Sequence, residues 1–484
     1  MAHGTLCSPL FDMNTFAPLF LLVAAGVAAA SAAESANWPA FRGPNCSGIS
    51  ESAKPPVKFG PTENVLWKSE VPWSPSSPCV WGQRLFLTTF NDGKLETRCH
   101  DLNTGRLLWT RVAPREKLEE FHATEGSPAA STPVTDGRRV VSYFGSCGLI
   151  CYDFEGKELW RHPLAPAETA GSFGSGVSPI LAGDLVILNR DQVKNSLILA
   201  VRLRDGKKAW ETPRPDSPTS YGTPIYYPSK TPEIIMAGSL TIKAYDPKTG
   251  AERWKLGGLP AFTCTTPVLG GGLLFFAGWS PGKSDSPFPK WESVLEKQDK
   301  NGDGVITVDE FKDGPVWFKA QDIDGNGKLE RSDWDSILGM MKRGENVLLA
   351  VKPGGHGDVT STHVAWKFER GLPYVPSPLY YDGRVYLIKD GGMLSCFKGE
   401  TGQPQYTQER LDALGSYYAS PVAADGRLYL FSVDGKATVV KAGGDKPEVL
   451  HRAEFGERIA GTPALVGSRL YLRTQTKLYA FGAR

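Results

Sequence analysis

A short acidic stretch, DKNGDGVITVDEF at residues 299–311, places oxygen-bearing side chains at alternate positions. Counted from its first aspartate, it has side-chain oxygens at positions 1, 3, 5 and 9, a backbone carbonyl at 7 and a glutamate at 12, the ligand pattern of a twelve-residue calcium loop. Gly304 at position 6 permits the sharp turn that such a loop requires. The predicted calcium ligands are Asp299, Asn301, Asp303, Val305 (through its carbonyl), Thr307 and Glu310.

A second stretch, DIDGNGKLERSD at residues 322–333, repeats this pattern less completely. Its last position is Asp333, and the shorter side chain reaches less easily as a two-oxygen ligand, so we expect weaker calcium binding or a shift toward magnesium. The predicted ligands are Asp322, Asp324, Asn326, Lys328 (through its carbonyl), Glu330 and Asp333. The two loops indicate an EF-hand pair with a small apolar core. The residues predicted for that core are Trp291, Leu295, Phe311, Trp317, Phe318, Trp334, Ile337 and Leu338.

A Ser/Thr-Pro pair followed by an apolar run recurs eight times along the chain. The pairs are Ser77-Pro78, Thr132-Pro133, Ser178-Pro179, Thr223-Pro224, Thr266-Pro267, Ser377-Pro378, Ser420-Pro421 and Thr462-Pro463. They lie 42 to 55 residues apart, except for one interval of 111 residues. A period of this length indicates a repeat architecture in which each unit is one small structural module.

In several repeats a predicted strand that ends in tryptophan follows the Ser/Thr-Pro pair, as in DLNTGRLLW at residues 101–109 and DPKTGAERW at residues 246–254. Each unit therefore predicts four short strands joined by tight turns, and a radial arrangement lets neighbouring sheets cover each other's apolar faces. The eighth unit lacks its fourth strand, and NVLW at residues 64–67 supplies it from the other end of the chain. The sequence thus predicts an all-β, eight-bladed β-propeller of four-stranded blades, closed by an N-terminal strand.

The Ser/Thr-Pro start and the D-x-x-T-G-x-x-x-W ending resemble the PQQ-like, or quinoprotein-like, β-propeller repeat. Finer matches to the bacterial exported type of this family are WPAFRGPNCSGIS at residues 38–50 and STPVTDGRRVVSYFGSCGLICYDFEGKELW at residues 131–160. The resemblance covers residues 38–484 apart from one interruption. It implies the fold and says little about chemistry, because propellers host many unrelated functions.

The long interval between repeats contains both calcium loops. Subtracting a normal repeat leaves about 66 residues, more than a connecting loop needs. The extra residues follow GLLFFAGW (272–279), the predicted second strand of blade five, and precede ENVLLAVKP (345–353), its third strand. We therefore predict a small α-helical EF-hand insertion in blade five at residues 281–344, between propeller segments at residues 38–280 and 345–484. The insertion replaces a hairpin tip and leaves the ring intact.

One long apolar run, Phe16–Ala30, lies near the start of the chain and is followed by small residues. It is shorter than a comfortable membrane span and fits a secretory signal peptide at residues 1–33. We therefore expect a periplasmic or secreted protein with no membrane span. The formal net charge is +2 at pH 7, so no nucleic-acid partner is expected. We expect the protein to be a monomer.

Seven cysteines follow the predicted signal peptide, and an odd number leaves at least one unpaired. Cys147 and Cys151 flank a predicted hairpin turn and could pair locally. A zinc site there would need further ligands, and no second cysteine pair or nearby histidine supplies them. We therefore expect these cysteines to be structural thiols.

Strand directions alternate, so the insertion should overhang the face that carries the Ser/Thr-Pro segments and the longer loops. Those loops are Arg115–Ser131, Asn189–Ser196, Thr219–Thr223, Leu259–Thr265, Gly371–Ser377 and Gly415–Ser420. A protein or small-ligand partner should bind at this face. An aromatic floor for a planar ligand or peptide is one interpretation of several loop residues, and packing at the strand starts is the other. These residues are Tyr221, Phe262, Tyr374, Tyr417 and Tyr418.

His122 lies close in sequence to three glutamates, Glu119, Glu120 and Glu125, and a carboxylate can orient an imidazole as a general base. The alternative is a solvated acidic loop, which we favour because the sequence identifies no nucleophile beside it. No catalytic residue is therefore predicted. Arg190 and Asp191 are interpreted as a pair that braces a loop.

Two functions are compatible with this sequence. The first is a non-catalytic binding or scaffold propeller in the exported compartment, with calcium holding a protruding module that is permanently filled rather than regulatory. The alternative, which the resemblance implies, is a PQQ-dependent dehydrogenase of alcohols or sugars. Such an enzyme often holds its quinone against a disulfide between adjacent cysteines, and this sequence contains no Cys-Cys pair. We therefore favour the binding protein, with calcium as the expected ligand and PQQ as the less favoured cofactor.

Overall fold

Short antiparallel strands make up most of the chain. The computed structural model describes Met1 and residues 37–281, 289–323 and 325–483. Within these residues the strands form eight sheets, and three α-helices occur together in one interruption. No helix of the described segments is long and apolar enough to cross a membrane. The predicted signal peptide lies outside the described residues except for Met1, as does the predicted ligand Asp324.

Each of the eight sheets is one blade of a propeller, which confirms the predicted fold. The strand β1 (Val65–Glu70) belongs to the last blade, and the next sixteen strands form the first four blades. These sixteen strands are β2 (Cys79–Trp81), β3 (Arg84–Asn91), β4 (Lys94–Asp101), β5 (Leu107–Val112), β6 (Val134–Thr135), β7 (Arg139–Phe144), β8 (Gly148–Asp153), β9 (Glu158–Pro163), β10 (Ile180–Ala182), β11 (Leu185–Arg190), β12 (Leu197–Arg202), β13 (Lys208–Pro213), β14 (Ile225–Tyr227), β15 (Glu233–Ala237), β16 (Thr241–Tyr245) and β17 (Glu252–Gly257).

The remaining strands complete the other four blades. They are β18 (Val268–Gly270), β19 (Leu273–Gly278), β20 (Val347–Val351), β21 (Gly357–Asp358), β22 (Val364–Phe368), β23 (Leu379–Tyr381), β24 (Arg384–Lys389), β25 (Met393–Lys398), β26 (Pro404–Arg410), β27 (Val422–Ala424), β28 (Arg427–Phe431), β29 (Lys436–Lys441), β30 (Glu448–Glu454), β31 (Ala464–Val466), β32 (Arg469–Arg473) and β33 (Lys477–Phe481). As predicted, β1 pairs antiparallel with β33 and closes blade eight, with Trp67 opposite Ala480. One strand is unexpected: β21 leaves blade five and adds a parallel edge to β17 of blade four.

The Ser/Thr residues of the eight repeats form a closed ring of hydrogen bonds. In every repeat the backbone N–H donates to the side-chain hydroxyl of the equivalent residue in the next blade, at 2.9–3.2 Å. The last of these bonds runs from Thr462 to Ser77 and joins blade eight to blade one. The repeat therefore needs a side-chain hydroxyl at this position because it is the acceptor that ties neighbouring blades together.

The tryptophans at the ends of fourth strands join blades at the periphery. The indole of Trp67, for example, donates to the carbonyl of Leu102 at 3.1 Å and packs on Gly105 in the turn of blade one. A Cβ on Gly105, whose φ is +71°, would lie 2.3 Å from the Trp67 ring. The T-G…W motif thus couples one blade's tryptophan to the next blade's glycine. The same contact recurs for Trp109 on Gly156, Trp160 on Gly206, Trp210 on Gly250 and Trp366 on Gly402.

The N-terminal segment, residues 38–50, crosses the propeller near its axis. Trp38 pairs with Val80 of blade one, and Ile49 forms a parallel bridge with Ala423 of blade seven. Between them, the Asn45 side chain exchanges two hydrogen bonds with the backbone of Tyr226 in blade four. Because this segment touches the first strands of blades on opposite sides of the ring, it spans the axial channel.

The interruption of blade five lies between β19 and β20, where the sequence predicts it. Three helices follow in this segment: α1 (Trp291–Gln298), α2 (Gly314–Gln321) and α3 (Arg331–Arg343). They share an apolar cluster of Trp291, Val294, Ile306, Phe311, Phe318, Leu329 and Trp334. Trp317, which the sequence places in this cluster, is 41% exposed and packs against the propeller instead.

All seven cysteines of the described chain are free thiols. Cys147 and Cys151 remain unpaired, and Cys151 is buried against the core between blades two and three. The structure thus agrees with the prediction of structural thiols.

Candidate functional site

A cavity of about 430 Å³ opens on the face that carries the Ser/Thr-Pro segments. Five of the six loops expected on this face contribute to it, and no residue of the sixth, Asn189–Ser196, is among the lining residues. The five loops are Arg115–Ser131, Thr219–Thr223, Leu259–Thr265, Gly371–Ser377 and Gly415–Ser420. Its floor is the hydroxyl ring, from which six of the eight residues line the cavity. These six are Thr132, Ser178, Thr223, Thr266, Ser377 and Ser420. A concave site of this volume is in the range of small-molecule pockets.

Aromatic side chains form the walls of this cavity. Tyr221, Tyr374 and Tyr418 were predicted from the sequence, and all three line it. Phe262 is not among the lining residues, and Tyr417 is buried in the core of blade six, where its hydroxyl donates to the carbonyl of Ala413 at 2.9 Å. The sequence missed four further lining aromatic or charged residues. These are Phe41, Trp73, Phe173 and Arg458.

An ion pair stands at the mouth of the cavity. The Arg458 guanidinium lies 5.6 Å from the ring centres of both Trp73 and Tyr418, so it is held between two aromatic faces. Arg458 donates to Glu125 at 3.1 Å and to the Thr124 carbonyl at 2.6 Å, and Tyr418 donates to the same Glu125 oxygen at 2.7 Å. These hydrogen bonds, that from Tyr418 first, lower the pKa of Glu125. The pair is therefore ionised and close to neutral overall.

The inner wall of the cavity disfavours side-chain anions. Burial raises the pKa of the Cys264 thiol to about 12, and burial also raises the pKa of Tyr221. The Tyr221 hydroxyl donates to the Ala170 carbonyl at 3.2 Å, which fixes the ring against the wall. Cys264 is therefore a neutral thiol at physiological pH rather than a nucleophile.

The cluster around His122 does not form an acid–base pair. The imidazole stacks on Phe173 with ring centres 5.5 Å apart, and its Nδ1 accepts from the backbone N–H of Glu125 at 3.2 Å. Glu119 and Glu120 accept from Ser175 and Ser172 instead. In the described residues no carboxylate hydrogen-bonds the His122 ring, so the geometry does not support the general-base interpretation. The loop is not fully solvated either, because Glu119 is buried.

A second polar group is buried beside the cavity. Asp191 pairs with Arg214 through bonds of 2.7 and 3.0 Å, and both side chains are fully buried, so the predicted partner Arg190 is wrong. Arg190 donates to the Ala165 carbonyl. Glu119 nearby is also buried, and desolvation raises its pKa to about 8. These groups brace the loops of blade three, and Asp191, Arg214 and Glu119 are not among the described residues that line the cavity.

The insertion packs on the rim of the cavity. Trp317 of α2 meets Phe173 edge-to-face at 6.0 Å, and Phe173 lines the cavity. Lys319, also on α2, lies 3.5 Å from Glu120. The helix between the two predicted calcium loops therefore touches the propeller at a residue that shapes the cavity wall.

The first predicted calcium loop has the turn that cation binding requires. Gly304 has a φ of +83°, and both its N–H and that of Gly302 donate to the Asp299 carboxylate. Asn301 and Asp303 each accept one further loop N–H, from Asp303 and Val305. Glu310 accepts from Lys300 and Thr307, which lowers its pKa. The carboxylates are thus directed toward the inside of the loop.

The second loop repeats this geometry. Asp322 accepts from Asn326 and Gly327, and the Lys328 N–H donates to the Asn326 side chain. Glu330 and Asp333 cap α3 reciprocally, which is a structural role for both. The loops are joined by an antiparallel bridge between Ile306 and Leu329, with bonds of 3.1 and 2.9 Å.

The described residues of the two loops were expected to supply most of the calcium ligands. Over the described ranges, no three Asp, Glu, His or Cys side chains converge closely enough to hold a metal. Calcium binding therefore remains a prediction, for which the loop backbones and the partial ligand sets are suited.

The cavity does not fit PQQ, which carries three carboxylates on a planar ring. Among the described residues that line it, only Glu125 and Arg458 are charged at neutral pH, and they neutralise each other. Cys264 is the one cysteine of this lining, so it offers no adjacent disulfide. A trianion buried here would find no unpaired cationic side chain among these lining residues.

Comparisons with known proteins point to one family of folds. The sequence model of a family described as outer membrane protein assembly factor BamB matches residues 91–261, about a third of the chain. A polyvinylalcohol dehydrogenase from a Pseudomonas species is 22% identical over 261 residues, which cover 46% of this chain and 39% of that protein. The chain thus spans about two fifths of the length of this curated relative.

Solved structures share the propeller at low sequence identity. BamB from Moraxella catarrhalis is 14% identical with a TM-score of 0.54, covering 86% of this chain and 98% of that one. A europium-containing methanol dehydrogenase is 11% identical with a TM-score of 0.56, covering 93% and 98%. The computationally designed Ika8 protein is 10% identical with a TM-score of 0.56, covering 87% and 100%. At these identities the likeness concerns the fold alone.

Proposed function

Because the chain is an eight-bladed propeller of the PQQ-like repeat family, we propose that it is an exported, monomeric binding protein whose ligand or partner enters the cavity on the hydroxyl-ring face. The observation that carries this proposal is the lining of the cavity. It combines aromatic walls with one self-neutralised ion pair, Glu125–Arg458, and no paired nucleophile and base. Such a lining suits recognition better than catalysis.

The relatives favour no single activity. One is described as an outer membrane assembly factor and others as dehydrogenases, so the repeat itself is compatible with both classes. Dehydrogenase activity is the second candidate, and the match to a polyvinylalcohol dehydrogenase is the observation that favours it. A direct test adds PQQ and calcium to the purified protein, and then measures bound quinone absorbance and dye reduction with alcohols or sugars. We expect neither, and steady turnover would replace the binding function with an oxidoreductase.

Calcium binding by the insertion is the other part of the proposal. In the first loop the ion would be held by Asp299, Asn301, Asp303, the Val305 carbonyl, Thr307 and Glu310. In the second loop it would be held less tightly, by Asp322, Asp324, Asn326, the Lys328 carbonyl, Glu330 and Asp333. The ion would replace the loop N–H groups as the partner of these carboxylates and hold the helices together. Its expected role is to fix α2 against the cavity rim.

Calorimetric titration with calcium tests this part. The wild type should show a tighter and a weaker site, and Glu310→Gln should lose the tighter one because an amide supplies one neutral oxygen where a carboxylate supplies two charged ones. Glu296→Gln is the matched control, because Glu296 is exposed on α1 outside both loops. Identical isotherms for the wild type and Glu310→Gln would remove residues 299–310 as the tighter site.

A further inference from the structure

The floor of the cavity offers hydrogen-bond donors without matching acceptors. Each ring hydroxyl accepts one backbone N–H, and none donates its own O–H to any described residue. Six ring residues line the cavity, so these O–H groups are available to whatever occupies it. At the mouth, the Nε of Arg458 is also buried without a partner. A well-matched ligand must therefore present acceptor oxygens.

An uncompensated cation lies beneath this floor. Arg42, in the segment that crosses the channel, is fully buried. Its Nη2 donates to the carbonyl of Pro378 at 2.7 Å, while Nε and Nη1 have no partner. Because Pro378 directly follows Ser377, the guanidinium donates to the backbone next to a ring residue that lines the cavity.

No carboxylate of the described residues is paired with this charge. Arg42 makes no ion pair with a carboxylate of the described chain, and the nearby Cys46 is a neutral thiol because burial raises its pKa to about 12. A buried charge without a counter-charge is strongly unfavourable, and an incoming anion would relieve it. Glu125 and Arg458 cancel at the mouth, and Arg42 adds a positive charge next to the floor. Arg190 and Arg473 are also buried without an ion pair to a described carboxylate, but Arg190 donates to the Ala165 carbonyl and Arg473 to the Ser76 carbonyl, and neither lines the cavity.

We propose that the cavity binds a small aromatic monocarboxylate, with its carboxylate on the hydroxyl ring above Arg42 and its ring between the walls of Tyr221, Phe173 and Tyr418. This inference rests on the proposed binding function and names the ligand class for it. Arg42 next to the floor matches one carboxylate, and the described lining residues supply no further unpaired cation for the other carboxylates of a tricarboxylate. The volume of about 430 Å³ suits a ligand of two fused rings.

Two probes of the same shape separate charge from shape. 2-Naphthoate and 2-naphthamide share the ring system and the carbonyl, but only the first is an anion. Calorimetric titration should show one-to-one binding of 2-naphthoate, with 2-naphthamide at least about tenfold weaker, because hydrogen bonds to charged groups exceed neutral ones by that order. Arg42→Met should remove the preference for the acid, and retained binding of 2-naphthamide would show that the variant is folded.

Two ring variants control for damage to the fold. Thr223→Val removes a hydroxyl that lines the cavity, and Thr462→Val removes one that is not among the lining residues. Each deletes one bond of the ring, from Ser178 and Ser420 respectively. Thr223→Val should weaken 2-naphthoate about fivefold, the effect of one hydrogen bond, while Thr462→Val should leave the affinity within about twofold.

Several results would overturn the inference. Absent binding of 2-naphthoate to folded wild-type protein, equal affinity for the two probes, or equal effects of the two ring variants would each refute the ligand class. Tighter binding of PQQ than of 2-naphthoate in the same titration would replace the monoanion by a polyanion. These outcomes are distinct from failure of the binding function, which dye reduction by the PQQ-treated protein would reveal.

Discussion

Trp67 packs on Gly105 where blade eight meets blade one, so we expect that adding a single methyl group at Gly105 lowers the free energy of unfolding. In Gly105→Ala the new Cβ would lie 2.3 Å from the Trp67 ring and 2.6 Å from the Ser69 hydroxyl, both on β1. The positive φ of +71° alone costs about 1–2 kcal/mol for a residue with a side chain. Displacing the indole adds about 1–3 kcal/mol for overpacking. The total is about 2–5 kcal/mol.

Gly183→Ala separates the two contributions. Gly183 has a φ of +63°, and nothing lies within 4 Å of a Cβ placed there, so this variant should carry the backbone cost alone. In Gly206→Ala the new Cβ would lie 2.4 Å from the Trp160 ring at a blade junction away from the seam, so this variant should lose as much stability as Gly105→Ala. Equilibrium urea unfolding of the three variants gives the comparison. If Gly105→Ala lost no more stability than Gly183→Ala, Trp67 would not pack at the seam and the closure argument would be wrong.

Three further predictions concern buried charge and the insertion. Glu119→Gln should raise the melting temperature at pH 9 but not at pH 5. Burial raises the pKa of Glu119 in the folded state from 4.5 to about 8, so the stability that the neutral carboxyl contributes is complete below about pH 4.5 and is lost as the pH rises through 8. A melting-temperature difference between variant and wild type that does not change with pH would contradict this. Asp191→Ala should lower the free energy of unfolding, measured with urea, by about 3–5 kcal/mol because Arg214 is left buried and unpaired. Glu158→Ala breaks a surface pair with Arg161 and should lower it by less than about 1 kcal/mol. Chelation should expose residues 289–344 to proteolysis while the propeller stays intact, and uniform cleavage along the chain would argue against a separately stabilised module.

The blades were predictable because the same physical requirement is repeated eight times. Each Ser/Thr supplies one acceptor of the hydroxyl ring, and each T-G…W motif supplies one contact between blades, so the spacing of these residues encodes the architecture. The strand β21 and the segment at residues 38–50 are not repeated along the chain, so no periodic pattern predicts where they lie. The prediction that Trp317 belongs to the apolar cluster of the insertion was wrong for a similar reason. Its sequence position fits the apolar face of a helix, and only the contact of that helix with Phe173 places Trp317 outside the cluster.

The candidate site was only half visible in the sequence, although a usable signal existed. Several of its lining residues lie two to five positions before a Ser/Thr-Pro pair, for example Trp73 before Ser77, Phe173 before Ser178 and Arg458 before Thr462. That register would also have selected Phe262, which lies four positions before Thr266 and is not among the lining residues, so the sequence position alone does not separate it from the others. Arg42 could not be found in this way, because nothing in its sequence neighbourhood indicates burial without a counter-charge.

The segment that crosses the axis determines what kind of site this propeller has. Eight blades leave a channel, and a channel lined by hydroxyls alone would hold water and favour no ligand strongly. Residues 38–50 bring Phe41 into the cavity and Arg42 beneath its floor, which gives the site an apolar wall and a charged end. Affinity can then be concentrated at one end of a ligand whose other end is held by aromatic contact. Hydrolysis or proton transfer would require a base or nucleophile beside that charged end, and among the described lining residues Glu125 is instead paired with Arg458 at the mouth. This arrangement supports the proposed binding of a ligand whose charged group lies at that end.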